Sequence, residues 1–165
     1  MNIQELIKKI EQWAIDRGLD KNGTVEGQFF KTAEEVAELI IAISKNNVKD
    51  IQDAVGDVFV TLVVGNVLCN KLEMEELVEI ARTKSTMMPK RKIDYIYFLI
   101  LSLHGLLFDE TYEMVSILEV IECLMDICDW FELDFVDCVE SAYKEIADRK
   151  GRVIDGTFIK EEDMI

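Results

Sequence analysis

Two acidic clusters stand inside otherwise apolar stretches of this 165-residue chain: Glu34-Glu35-Val36-Ala37-Glu38, then Asp53-Ala54-Val55-Gly56-Asp57. Carboxylates three or four residues apart share one helix face. Two such pairs facing each other make an oxygen-only cage, which suits a hard divalent cation such as Mg²⁺. Apolar packing alone does not select this arrangement, because an unpaired buried carboxylate is costly. A lone EExxE run is usually a solvated helix face. The second acidic pair, at matched depth, is what argues for a metal site.

The elements that must position these acids follow from helix geometry. Lys45-Asn46-Asn47-Val48-Lys49 is polar and turn-like, and Asn often ends a helix in the left-handed conformation. With antiparallel helices on either side, a rise of about 1.5 Å per residue puts Glu38 roughly 13 Å and Asp53 roughly 10 Å from the turn. Glu35 and Asp57 then lie roughly 17 Å and roughly 16 Å from it. The four carboxylates meet at similar depth. On the first of these helices the stripe reads Gln28, Lys31, Glu35, Glu38, flanked by Val36, Ile40 and Ile43 on one side and Leu39 and Ala42 on the other. After Asp57 the second helix is apolar nearly all round through Val67, as expected of a helix in the middle of a bundle. The acidic face is therefore expected to point inward.

Composition predicts an all-α fold. Half the residues are hydrophobic, there is one proline (Pro89), and strand-like alternation is scarce. Helices are expected over about 3–16, 24–44, 48–70, 74–83, 93–107, 110–131 and 133–150. Gly18 suits a C-cap and Thr24 an N-cap. Residues 84–92 read as a linker and 151–165 as an irregular tail from which Phe158 docks on the core. The length suits a single domain over 1–165, with 93–131 as a helical insertion. No uncharged apolar run looks long enough to span a bilayer, Val58–Cys69 being too short. The N-terminus reads as an amphipathic helix start and not a signal peptide, so a cytoplasmic location without membrane association is expected.

Cys69, Cys123, Cys128 and Cys138 form no CxxC pair and lie among apolar residues, which reads as buried free thiols. His104 is the single histidine and cannot support a His-rich metal site; it reads as structural or near a loop. A formal net charge of −15 argues against stable nucleic-acid binding, which needs a basic footprint. The same charge suits a polyphosphate ligand only where bound cations invert it locally.

With these residues in place, the chain resembles the MazG-like, all-α nucleoside triphosphate pyrophosphohydrolases. The family pattern is EExxE, a spacer, then ExxD. Glu34-Glu35-x-x-Glu38 matches the first half and Asp57 the final acid, in a Gly56-Asp57-Val58-Phe59-Val60-Thr61-Leu62 context similar to the family's. Trp13-Ala14-Ile15-Asp16-Arg17-Gly18-Leu19 and Gln28-x-x-Lys31 are similar to phage-type and bacterial members. So is the tail, Ala142-Tyr143-Lys144 through Arg149-Lys150-Gly151-Arg152 to Gly156-Thr157-Phe158-Ile159-Lys160. Residues 1–70 and 133–160 carry the resemblance; the middle is weakly covered. Two positions depart. The ExxD glutamate is Ala54, with Asp53 as the substitute acid one turn before Asp57. Lys144 stands where related tails often carry Asn.

The resemblance implies a helical bundle of that family with an additional helical pair. It also implies hydrolysis of a (d)NTP between the α and β phosphates to (d)NMP and pyrophosphate. Mg²⁺, or Mn²⁺ in its place, held by Glu35, Glu38, Asp57 and Asp53 would polarise the phosphates and lower the pKa of a bound water. Glu34 would complete the shell or position that water. Lys31 would meet the triphosphate. Lys144, Arg149, Lys150 and Arg152 are further phosphate candidates, or ordinary basic residues favoured at a helix C-terminus. Gln28 and Trp13 are candidate substrate contacts, although Trp13 reads more readily as a core tryptophan than as a residue stacked on a base. A homodimer or higher homo-oligomer is expected, from the family and from the apolar surface of the middle helices. The alternative is a non-enzymatic, acidic helical protein that mimics nucleic-acid charge as a decoy for a basic partner; it would spread its acids over the outer surface and need none inside.

Overall fold

A computed structural model describes residues 1–69, 72–83, 91–108 and 114–164, with no side-chain description at 107, 108, 114 and 115. Among the described residues the chain forms eight α-helices and one β-hairpin, an all-α architecture. The helices are α1 (Ile3–Asp16), α2 (Leu19–Asn22), α3 (Val25–Lys45), α4 (Val48–Cys69), α5 (Met74–Thr83), α6 (Lys92–Phe108), α7 (Met114–Trp130) and α8 (Phe135–Ala147). The hairpin pairs β1 (Gly151–Ile154) with β2 (Thr157–Lys160). The start expected at Glu110 for the seventh helix, and residues 84–90 of the expected linker, lie outside the described residues.

Local chemistry sets the boundaries. Asn2 caps α1 with a reciprocal Glu5 contact, so two otherwise unpaired backbone donors are satisfied. Gly18 takes the left-handed conformation after α1. The Thr24 hydroxyl accepts the Gly27 N–H at 3.1 Å and starts α3. Asn46, at φ 53°, closes α3, its N–H returning to the Ala42 and Ile43 carbonyls. Asp134 accepts from the Asp137 N–H at 2.9 Å, so α8 starts two residues later than Leu133.

Helix α4 is the axis of the bundle. It packs against α3, α8, α1, α2 and α7, and Val55, Val58, Phe59, Leu62 and Val63 are fully buried. By length and composition this 22-residue helix is apolar enough to cross a membrane, unlike its Val58–Cys69 portion taken alone. In the fold, 72% of its most apolar window is buried against other helices, which explains its composition. Gly56 permits the close approach of α8: a Cβ there would lie 2.3 Å from the Cys138 carbonyl oxygen and 2.8 Å from Ala142 Cβ. Helices α6 and α7 pack on each other, α7 also on α5, and α6 also on α3.

The C-terminal segment is not irregular. Asp155 and Gly156 both have positive φ, 49° and 83°, the pattern of a two-residue hairpin turn. Register pairs Gly151 with Lys160 and Val153 with Phe158. The hairpin docks on the start of α3, where the Thr24 N–H donates to the Gly156 carbonyl at 3.0 Å. A Cβ on Gly27 would lie 2.6 Å from Thr157 Oγ1, so glycine there lets the hairpin sit down. Phe158 packs on the core as expected, its ring edge against Trp13 at 5.3 Å.

Candidate functional site

A cavity of about 570 Å³ opens where α3, α4, α8 and the hairpin converge. Helix α3 lines it with Gln28, Lys31, Glu34, Glu35 and Glu38, the stripe expected from one helical face. Helix α4 adds Asp57, Val60, Thr61 and Val64. Helix α8 adds Glu145, the segment after it adds Arg149, and the hairpin adds Thr157, Phe158, Ile159 and Lys160. Trp13 and Leu19 close one end. Acids and cations thus line a single cavity whose remaining walls are aromatic and apolar apart from Gln28, Thr61 and Thr157.

Depth from the α3–α4 turn predicted that Glu35 and Asp57 share a level. In the structure Glu35 is the acid whose charge bears most strongly on Asp57. The Asp57 carboxyl is pushed up to about 7, first by burial, then by the negative charges of Glu35, Asp53 and Glu145, with Arg149 opposing. Glu35, with 16% of its side chain exposed, is raised by burial and by Glu38 and Glu34, and lowered by Lys31 and Lys160. Lys31 bonds to Glu34 and stands 3.8 Å from Glu35.

The inward acidic face is corrected in part. Glu34, Glu38 and Asp53 are exposed, whereas Glu35 and Asp57 are half-buried. Rims of an open cleft are wet, and only the two acids at its floor lose water. Asp53 does not line the cavity, although its charge reaches Asp57. Ala54, where the family pattern has Glu, is 5% exposed and belongs to the core.

The basic candidates divide. Arg149 lines the cavity. Lys144 does not: it is paired with Glu140 at 2.7 Å, one turn back along α8. Arg152 is exposed on β1 and Lys150 is exposed just before it, both outside the lining. Trp13 is a wall. It is 8% exposed, its indole N–H donates to the Ile146 carbonyl at 2.7 Å, and the Arg17 guanidinium lies over its ring at 4.6 Å. Gln28 is oriented by donation from Nε2 to the Thr61 carbonyl at 2.9 Å.

Sequence reasoning missed Glu145 and Lys160. Glu145 follows Cys138 and Ala142, the α8 residues that meet Gly56, at helical spacing, so periodicity would place it beside the face that meets α4. Lys160 reaches the site only because the hairpin folds back. Arg17 was also missed as a positioning group. Its guanidinium donates to the Ala147 carbonyl at 3.0 Å and to the Arg149 carbonyl at 2.7 Å, capping the end of α8 that presents Arg149.

Among the described residues no three Asp, Glu, His or Cys side chains stand close enough to share one ion. The donor chemistry nonetheless fits a hard divalent cation. Every candidate ligand is a carboxylate, and the negative charges of Glu35, Asp53 and Glu145 bear on Asp57, a repulsion that a bound cation relieves. Glu35 and Asp57, the two half-buried acids of the lining, would hold such an ion.

No protein-family model and no solved structure matches the chain. It is 46% identical over 63 residues to a protein of Haemophilus phage HP1 (strain HP1c1) described as "Uncharacterized 18.2 kDa protein in rep-hol intergenic region". That stretch covers 38% of this chain and 39% of the phage protein, so the similarity spans about two-fifths of each and names no activity.

Proposed function

We propose that the protein is a Mg²⁺-dependent nucleoside triphosphate pyrophosphohydrolase of the MazG-like type, acting on a (d)NTP to give (d)NMP and pyrophosphate. The observation that supports this most is Asp57, a half-buried carboxyl pushed up to about 7 by burial and three neighbouring acids, on the floor of a cavity that also holds Lys31, Arg149 and Lys160. A purely structural helix face gains nothing from such crowding. When bound, the divalent cation would supply Lewis-acid polarisation of the phosphates and activation of water.

The chain's own residues do the rest. Glu35 and Asp57 supply the charge that holds the ion, with Glu38 at the rim. Glu34 is held by Lys31 and can orient a water at the mouth. Arg149 and Lys160 face the acids from the opposite wall and offset the charge of a polyphosphate. Gln28 presents an amide whose orientation Thr61 fixes, against the apolar Val60, Val64 and Trp13 side of the cavity. This division suits a ligand with an anionic tail and a flat, polar-edged head. The acidic-decoy reading accounts for the net charge but not for acids that lose solvation inside a cavity.

We also propose a homodimer. Ile93, Tyr97 and Ile100 of α6 are 56%, 59% and 54% exposed, which leaves an apolar face on that helix.

The test is a screen of the common NTPs and dNTPs with Mg²⁺, reading pyrophosphate release. Release from at least one nucleotide, lost with a chelator, is expected. Release of orthophosphate alone, or of neither product, contradicts the reading.

A further inference from the structure

We propose that Cys128 and Cys138 are a peroxide-sensitive dithiol that closes to a disulfide and pins helix α8. Nothing in the proposed hydrolysis uses these thiols, and the inference stands independently of it. The two residues flank the α7–α8 turn, one at the end of α7 and one in the first turn of α8. Both are buried, and their sulfurs are 4.0 Å apart. A disulfide requires about 2.05 Å, so the sulfurs must close by about 2 Å, a distance within reach of side-chain rotation. Cys123 is engaged differently, its thiol lying 3.9 Å from the Tyr95 carbonyl.

The pair also has a route to solvent. Cys128 lines a second cavity, of about 300 Å³, together with Ala81, Met125, Leu133 and Phe135. That volume admits hydrogen peroxide. Of the two, Cys128 alone lines that cavity, so it meets the oxidant, and Cys138, its neighbour at 4.0 Å, resolves it.

The chemistry balances. The Cys128 thiolate sulfur attacks one peroxide oxygen, the O–O bond breaks, and a sulfenic acid forms with loss of one water. The Cys138 thiolate then attacks the Cys128 sulfur, the S–O bond breaks, and a second water leaves. Two thiols lose two electrons and two protons, and one peroxide becomes two waters.

The consequence is carried by α8. The Cys138 carbonyl abuts Gly56, the residue before Asp57, and the same helix presents Glu145 to the first cavity and leads directly into Arg149. A bond between α7 and the start of α8 would restrict this helix against α4.

The experiment treats the full chain with a small excess of hydrogen peroxide, then blocks, digests and maps the thiols. We expect two of the four thiols to be lost, one linked Cys128–Cys138 peptide pair, reversal by dithiothreitol, and a melting temperature raised by about 3–10 °C in the oxidised protein. Cys138→Ser should instead leave a dimedone-reactive sulfenic acid on Cys128. A link through Cys69 or Cys123, no thiol loss, or over-oxidation of Cys128 without a link overturns the dithiol. A linked protein that melts no higher than the reduced one overturns the pinning. Should the serine variant fail to fold, the map of the unaltered chain decides.

Discussion

Helix pairs α3–α4 and α6–α7 are both long and apolar, yet they use apolarity differently. Helix α4 is buried on nearly every side, and the pair it forms with α3 holds two carboxyls away from full hydration at Glu35 and Asp57. Helix α6 buries Tyr95, Leu99, Ser102 and Leu106, but leaves Ile93, Tyr97, Ile100 and Leu101 in solvent. It lines neither cavity described above. Hydrophobicity alone therefore does not locate function in this fold. What distinguishes the first pair is charge at half-buried positions, and what distinguishes the second is apolar surface left exposed among the described residues.

The largest expected effect breaks the first pair. Asp57→Asn and Glu35→Gln should each lower the pyrophosphate-release rate by about 10²-fold or more while the fold persists. Asp53→Asn should cost far less, because Asp53 is exposed and outside the lining. The Asp57 substitution also has a signed stability consequence. A carboxyl raised from its ordinary value to about 7 is protonated longer in the folded state. It adds no penalty below about pH 4, and destabilises the metal-free protein increasingly as pH rises to about 7. Melting curves of metal-free Asp57→Asn should therefore match the unaltered protein near pH 4 and run above it at pH 8. Identical curves at both pH values would show that Asp57 is not desolvated.

The next effect concerns the opposite wall. Arg149→Ala and Lys160→Ala should each raise KM about 5–50-fold, with a smaller change in kcat. Lys144→Ala and Arg152→Ala should leave KM within about twofold, as expected of exposed charges off the site. Steady-state kinetics on the four variants separates the two groups. Equal effects in all four would mean that only net charge matters.

Gly56→Ala should destabilise by about 1–3 kcal/mol, since its Cβ would meet the Cys138 carbonyl oxygen at 2.3 Å. Denaturant melts check this, and an unchanged midpoint would mean that α8 sits farther from α4. The smallest effect on activity belongs to α6. Tyr97→Glu and Ile100→Glu should shift light scattering at low micromolar concentration from dimer to monomer and leave the melting temperature within a few degrees. A clean monomer before substitution would remove the dimer.

Much of the α3–α4 wall was legible because helix periodicity alone places it. The stripe Gln28, Lys31, Glu35, Glu38 needs only one helix, and Asn46 ends that helix by its own left-handed conformation. Helices α1 and α5 likewise follow from strong amphipathic patterns. The opposite wall was less legible because it depends on tertiary docking. Glu145 and Lys144 are adjacent in sequence and look equivalent there. Only the close approach at Gly56 decides which of them faces α4. The hairpin was written in Val153-Ile154-Asp155-Gly156-Thr157-Phe158-Ile159, an Asp-Gly turn between β-prone residues, and reading that segment as irregular hid Lys160. Glu38 is exposed at the rim of the cleft and Asp53 is exposed outside it, a difference of tertiary shape that local spacing does not encode.

The most direct measurement of the central claim is calorimetric titration of Mg²⁺ into the metal-free protein, beside Asp57→Asn. The account predicts saturable binding to the unaltered chain, with proton release near pH 7, and its loss in the variant. Equal heats from the two proteins, or no saturable binding to either, would contradict it.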